Sequence, residues 1–354
     1  SAGVDCSDHE VNIKILLAGL VATGEMTGRQ RDALLASMTD EVASLVLADN
    51  YQQTQAIALE AATAGELLAA HARLIRSLES RGALHRGVEF LPDDKGLAER
   101  GQQKRGLTAP EIAVLLAYAK ITLKEAVLTS DLPDSGDLDD LLESYFPSVL
   151  RGSCRARMAA HPLQRDIITT QLVNRLVNRM GTTFVLQLGD ETGASTAQVA
   201  GAWYAASQVL DAEALWREVE SLDLLLDAAR QMELMLALRA TTAAATELIL
   251  TQHLGGMTIG ALVDEYRPAV AEVLARVRQG RSGEPAATAL AMAAAAIVGA
   301  IDRVDLARAC ARSPDEVAHG LAELAGHLEL DWLTAAVGQI AIMHQELVEN
   351  RHWI

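Results

Sequence analysis

Residues 1–12, SAGVDCSDHEVN, place small residues ahead of a Ser7–Glu10 pair that reads as a capping box. A helix N-terminus with free amides and a hydroxyl is a ready site for a carboxylate. Two readings of Ser7 follow: it caps its own helix, or it also holds an anionic ligand. Polar side chains on otherwise apolar helices form a second group. DNYQQTQAI (Asp49–Ile57) sets Gln52, Gln55 and the Tyr51 hydroxyl beside an apolar stripe. QLVNRLVNRMG (Gln171–Gly181) repeats Asn174 with Asn178, and Arg175 with Arg179, every four residues. Buried polar groups need hydrogen-bond partners, so such ladders either join helices or face a ligand or partner.

Other chemistries lack their residues. The sequence has no G-x-x-x-x-G-K-S/T and no G-x-G-x-x-G after a strand. LGGMTIG (Leu254–Gly260) is glycine-rich but has no lysine and reads as a helix–helix turn. Val304–Leu324 has helix-turn-helix spacing, yet the helix starting near Pro314 carries Asp315, Glu316 and Glu323. An αα-hairpin fits that surface better than a recognition helix. Cys6, Cys154 and Cys310 and nine scattered histidines form neither CxxC nor HExxH, so no metal site is expected and a reducing compartment is. Thirty basic against 47 acidic residues give a formal charge of -17, which repels phosphate backbones and argues against nucleic acid as a partner.

These residues must be positioned by helices. Of 354 residues half are hydrophobic, but only four are Trp, five Tyr and three Phe, and eight are Pro. A core of Leu, Ala, Val, Ile and Met predicts an all-α fold, a multi-helix array of packed helical hairpins with no central sheet. Capping boxes at Ser7–Glu10, Thr27–Gln30, Thr108–Glu111, Ser195–Gln198 and Ser313–Glu316 predict helix starts. Ile112, Leu115, Leu116, Ala119, Leu123 and Val127 then share one helical face. Ile168, Leu172, Leu176 and Met180 recur every four residues, and Gly181 stands where a C-terminal cap belongs. TTFVLQL (Thr182–Leu188) is the one run with β-like content, and it also reads as a helical turn. Connections are expected at residues 82–106, 133–140, 189–195 and 279–285, with the main seam at 189–193. The resulting division is 1–49, 50–190 and 191–354. Ala286–Ile301 is uncharged but only 16 residues long, where a membrane span needs about 20, so a buried helix is expected and no membrane partner. No basic region precedes an apolar run at the start, so a cytoplasmic location is expected. The chain opens without Met, in the middle of what looks like a motif, and reads as a fragment of something longer.

Several long segments, in order, resemble the large NAD-dependent glutamate dehydrogenases of bacteria. They are SAGVDCSDHEVNIKILL (Ser1–Leu17), LADNYQQTQAI (Leu47–Ile57), EFLP (Glu89–Pro92), GLTAPEIAVLLAYAKI (Gly106–Ile121), YFP (Tyr145–Pro147) and the stretch from Pro162 to Gly193. The resemblance covers roughly the first 210 residues and is looser beyond. The first segment is also similar to the small hexameric glutamate dehydrogenases, whose motif reads N-A-G-G-V-x-x-S-Y-F-E-W. Gly3, Val4, Ser7 and Glu10 match it, while Asp8, His9 and Val11 replace Tyr, Phe and Trp. The resemblance implies that Ser7 contacts the side-chain carboxylate of glutamate and that Val4, beside Gly3, lines that pocket.

It further implies a parent that converts L-glutamate, NAD and water to 2-oxoglutarate, ammonium and NADH. The lysine, the aspartate and the Rossmann domain that this chemistry needs are not recognisable in the chain. The chain then reads as the last strip of a catalytic domain, residues 1–49, followed by a C-terminal helical region. Its partners would be the rest of the parent chain, further copies in a homo-oligomer, and glutamate or 2-oxoglutarate, with NAD bound upstream. A helical interaction scaffold without catalytic role is the competing reading, and it leaves the opening segment unexplained.

Overall fold

A computed structural model of the chain describes residues 2–253, 256–279 and 286–327. Ser1, two residues of LGGMTIG and most of the connection expected at 279–285 lie outside the described residues. Within them the chain forms 17 α-helices and one 3₁₀ turn, with no strand. The all-α expectation holds.

The N-terminal part runs α1 (Ala2–Ala22), α2 (Gly28–Ser37), α3 (Thr39–Ala62) and α4 (Ala64–Ser80). Four of the expected capping boxes form: at Thr27, Thr108 and Ser195, and at Ser313, whose side chain accepts from the Glu316 amide at 3.2 Å. The box at Ser7 does not. Helix α1 begins at Ala2, so Ser7 is its sixth residue and sits inside the helical ladder. Residues 2–6 contain no proline and a single glycine, and nothing in them stops the helix from extending one turn upstream. Glu10 pairs instead with Lys14, one turn on.

Two expected connections carry structure of their own. Residues 94–102 form α5 (Asp94–Gln102), opened by the Asp93 carboxylate accepting from the Gly96 amide at 2.7 Å. Residues 132–134 form the 3₁₀ turn. TTFVLQL enters α11 (Phe184–Thr192), which follows α10 (Gln164–Met180), and Gly193 ends it in the left-handed conformation, φ 73°.

Three apolar clusters make the core. One joins α4, α5 and the start of α6 (Ala109–Leu128) through Leu74, Ile75 and Leu78 of α4 with Leu97 and Leu115. The second packs α1, the rest of α6, α7 (Asp139–Tyr145), α8 (Ser148–Arg151), α9 (Arg155–Ala159) and α10, with Leu17, Leu123, Phe146 and Leu172 fully or almost fully buried. The third gathers α13 (Ala212–Glu220), α14 (Ala228–His253), α15 (Ile259–Gln279) and α16 (Ala286–Ala309) around Trp216, Leu238 and Tyr266.

Helix α12 (Thr196–Leu210) belongs to two clusters. Val199, Ala202, Ala206 and Val209 face the third, while Ala200, Trp203 and Tyr204 face the second. Its alanines and Gly201 let neighbouring helices approach closely on both sides. Val304–Leu324 folds as the αα-hairpin of α16 and α17 (Pro314–His327). By length and composition alone, α14 is apolar enough over 228–252 to cross a membrane, but half of its apolar 18-residue stretch is buried inside the fold.

Candidate functional site

The inward face of α1 carries a polar cluster. Asn12 donates to the Tyr145 hydroxyl at 2.8 Å, and that hydroxyl donates to Asp8 at 2.8 Å. His9 stacks on the Tyr145 ring, centroids 4.2 Å apart, and His161 bonds the Asn12 carbonyl through Nε2 at 3.2 Å. Burial and the neighbouring Asp8 push the Tyr145 hydroxyl far above its usual range, so it stays protonated and works as a donor. Nearby, half-buried Lys120 of α6 feels Asp49 of α3 and Asp5 of α1. Burial lowers the Lys120 ammonium to about 8, against the pull of both carboxylates. Burial raises Asp49, and Asp5 adds to the rise while Lys120 and Arg175 oppose it.

The two histidines set an acid limit. Burial lowers both below their ordinary value of 6.5, against Asp8 and Asp5 at His9 and against the Asn12 carbonyl at His161. The Leu163 amide donates to His161 Nδ1 at 3.1 Å, which requires that nitrogen to be unprotonated. A group with a depressed folded pKa contributes stability above its unfolded value and loses it as pH falls. The melting temperature is therefore expected to start falling below about pH 6.5, before the carboxylates titrate. His9→Gln with His161→Gln should flatten that limb in circular-dichroism melts between pH 8 and 5; an unchanged slope would refute the assignment.

The second polar assembly is built by the residues of the Asn/Arg ladder. Arg179 is almost fully buried and donates to Glu220 at 2.6 Å, to both oxygens of Glu213 at 3.3 Å and to Gln55 Oε1 at 3.0 Å. Its guanidinium also lies 4.6 Å from the Trp216 ring centroid. Burial works to lower Arg179, but Glu213 and Glu220 outweigh it and the group is held above its ordinary value. Arg175 donates to Ser144 Oγ at 2.7 Å, and Arg239 of α14 donates to the Arg179 carbonyl at 2.8 Å. The arginines of the ladder thus join α3, α7, α10, α13 and α14, the helix-joining reading, whereas Asn178 is buried with no partner for its Oδ1 among the described residues.

Glu60 of α3, fully buried, anchors the same region. Its carboxylate accepts from His71 at 2.7 Å, from the Thr182 amide at 2.9 Å and from the Thr182 hydroxyl. Burial would raise Glu60, yet these bonds win and lower it. Sequence reasoning missed Glu60 and His71. The available signal was a carboxylate at the end of an apolar run, QAIALE, with no basic residue beside it in sequence.

The three residues assigned to a substrate pocket all lie on α1. Gly3 and Val4 are in its first turn, and their side-chain surroundings lie outside the described residues. Ser7 is exposed, on the outward stripe with Val11 and Lys14, whereas His9 and Asn12 point inward. The first-turn amides are those of residues near Ala2, so Ser7 presents a hydroxyl from the side of a helix rather than from its end. No group of three or more His, Cys, Asp or Glu able to hold a metal occurs among the described residues.

Comparison with known proteins divides the chain along these elements. Residues 104–346 match the family model described as glutamate dehydrogenase, C-terminal, and residues 1–60 match that of the bacterial NAD-glutamate dehydrogenase catalytic domain. A protein of Halomonas elongata named NAD-specific glutamate dehydrogenase is 37 % identical over 97 % of the chain and 22 % of its own length. Proteins of the same name from Pseudomonas aeruginosa and Mycobacterium tuberculosis are 44 % and 41 % identical, over 77 % and 63 % of the chain and 17 % and 14 % of their own lengths. The chain thus spans 22 % or less of the curated relatives it matches. Helices α6 to α17, with the ladder and its buried ion pairs, fall inside the first model and α1, α2 and α3 up to Glu60 inside the second, and the chain belongs to the glutamate dehydrogenase C-terminal family.

Proposed function

We propose that the chain is the C-terminal part of an enzyme that oxidises L-glutamate with NAD and water to 2-oxoglutarate, ammonium and NADH. The observation that carries this reading is the order of the two matches: residues 1–60 with a catalytic domain, then 104–346 with the C-terminal region. In this reading the helical array packs against and supports the catalytic domain, and NAD is held by residues upstream of this chain. The 354-residue chain alone is not expected to turn over. A homo-oligomeric enzyme in the cytoplasm fits the same reading. An interaction scaffold unrelated to catalysis leaves the match of α1–α3 to a catalytic domain without a cause.

Ser7 supplies the test. Because it sits in a helix interior and is exposed, Ser7→Ala should leave stability unchanged or slightly raised, since alanine is the better helix former. If the hydroxyl holds the glutamate side-chain carboxylate, its loss should cost on the order of ten- to hundredfold in kcat/KM in the full-length polypeptide. The effect should fall on glutamate and 2-oxoglutarate, with the KM for NAD little changed. Wild-type kinetics for Ser7→Ala would remove Ser7 from the substrate pocket.

A further inference from the structure

Helices α1, α2 and α3 enclose an open groove of about 380 Å³ whose walls include Cys6, Ile13, Leu35, Ala36, Met38 and Val42. Its floor is closed, with Ile13 and Met38 both buried, while Ala36 is exposed on the rim and Leu35 and Val42 are half-covered. Helix α2 is the unusual wall: not one of its ten residues is buried. Leu34 and Leu35 pack on the second core cluster but stay half-covered, and a helix that short is marginal in water by itself. Along α1 the groove adjoins the outward stripe that carries Ser7 and Val11, the latter 50 % exposed.

We infer that this groove is the seat of another segment of the catalytic domain, one that lies in the same polypeptide but outside these 354 residues. The inference rests on the functional reading above. Three observations choose that occupant. Every residue lining the groove falls within residues 1–60, the part matched to the catalytic domain, and none within the C-terminal match. The chain spans at most 22 % of its relatives, so most of the polypeptide to which such a domain belongs is outside it. On the three helices around the groove the exposed charges are Asp8, Glu10, Asp32 and Asp40 against Lys14 and Arg29, and Glu10 is part of the lining itself. Two copies of this face would repel each other, whereas an apolar segment with neutral or basic flanks would meet a complementary rim. The occupant is accordingly an apolar segment poor in Asp and Glu, covering α2 and closing over the Cys6 side of α1.

Cys6 and Ala36 make this testable. Cys6 is half-exposed in the groove, Cys310 is exposed elsewhere and Cys154 is buried, so the 354-residue chain contains its own open and closed references. Alkylation followed by peptide mass spectrometry should show Cys6 reacting at a rate between those of Cys310 and Cys154. In the full-length polypeptide the Cys6 rate should fall at least about tenfold. Ala36→Arg, exposed and a good helix former, should leave the melting temperature of the 354-residue chain within about 2 °C. In the full-length polypeptide it should restore Cys6 reactivity and lower glutamate-dependent NADH formation. Equal Cys6 rates in both proteins, with the full-length polypeptide active, would overturn the groove assignment and leave the functional reading standing. A protected Cys6 in a polypeptide with no such activity would support the groove and sink the functional reading. Dimerisation of the 354-residue chain in sedimentation, abolished by Ala36→Arg, would overturn the proposal in favour of a second copy.

Discussion

Arg179→Ala is expected to cost about 3–5 kcal/mol of folding stability, a large part of the usual margin of roughly 5–15 kcal/mol. Removing the guanidinium leaves Glu213 and Glu220 facing each other across the space it filled and takes the donor from Gln55. The Glu213 side chain is 32 % exposed and that of Glu220 16 %, so part of the released charge reaches water. That places the loss toward the lower end of the range. Contact with Trp216 adds to it, because the guanidinium lies over the ring and interacts with its face. Arg179→Lys should fall between wild type and alanine: it keeps the charge but loses the fork that reaches three partners at once. Urea unfolding of the three proteins checks the order, and a loss below about 1 kcal/mol for alanine would show that the two glutamates find other partners.

Gly181→Ala carries an effect of similar size for a different reason. Gly181 has φ 88° and ψ -180°, a region essentially restricted to glycine and costing any other residue about 1–3 kcal/mol. A Cβ there would also stand 2.8 Å from Glu60 Oε2. That oxygen accepts from the Thr182 amide, so yielding to the methyl breaks a buried charged hydrogen bond, worth a further roughly 1.5–3 kcal/mol. Gly193→Ala separates the two causes. Gly193 also has positive φ, 73°, but a Cβ there meets nothing within 4 Å. Only the left-handed backbone is penalised, about 1–2 kcal/mol. If the two variants lose equal stability in urea, the Glu60 contact contributes nothing.

Local signals were legible in the sequence because they act over one turn of chain. The boxes at Thr27, Thr108, Ser195 and Ser313 each pair residues three apart, and they form wherever the preceding residues leave the helix. Ser7 has the same pattern, but residues 2–6 carry no stop, so the helix runs through it. Gln55, Asn178 and Arg179 stood out as polar groups on apolar stripes, and burial bears that out for Asn178 and Arg179. Their partners did not stand out. Glu213 and Glu220 lie in AEALWREVE, where they look like ordinary surface acids of an amphipathic helix. Gly181 was readable as a helix end. The carboxylate that crowds it comes from Glu60, 122 residues before its bonding partner Thr182, a distance over which composition and periodicity carry no information.

Because α12 turns one face to each of two cores, neither core has a complete wall without it. Melting either one would strip an inner surface from the other and expose Trp203 or Val209 to water. The two halves are therefore expected to denature as one cooperative unit, with helical circular dichroism and tryptophan fluorescence tracing the same midpoint. A cut or insertion within residues 196–210 would abolish both, while one at Gly193, on the turn just before, would spare them. Thermodynamic coupling between these two cores thus runs through fifteen residues, with the Arg179 ion pairs as a second link, and the most damaging lesions are those that interrupt the fifteen.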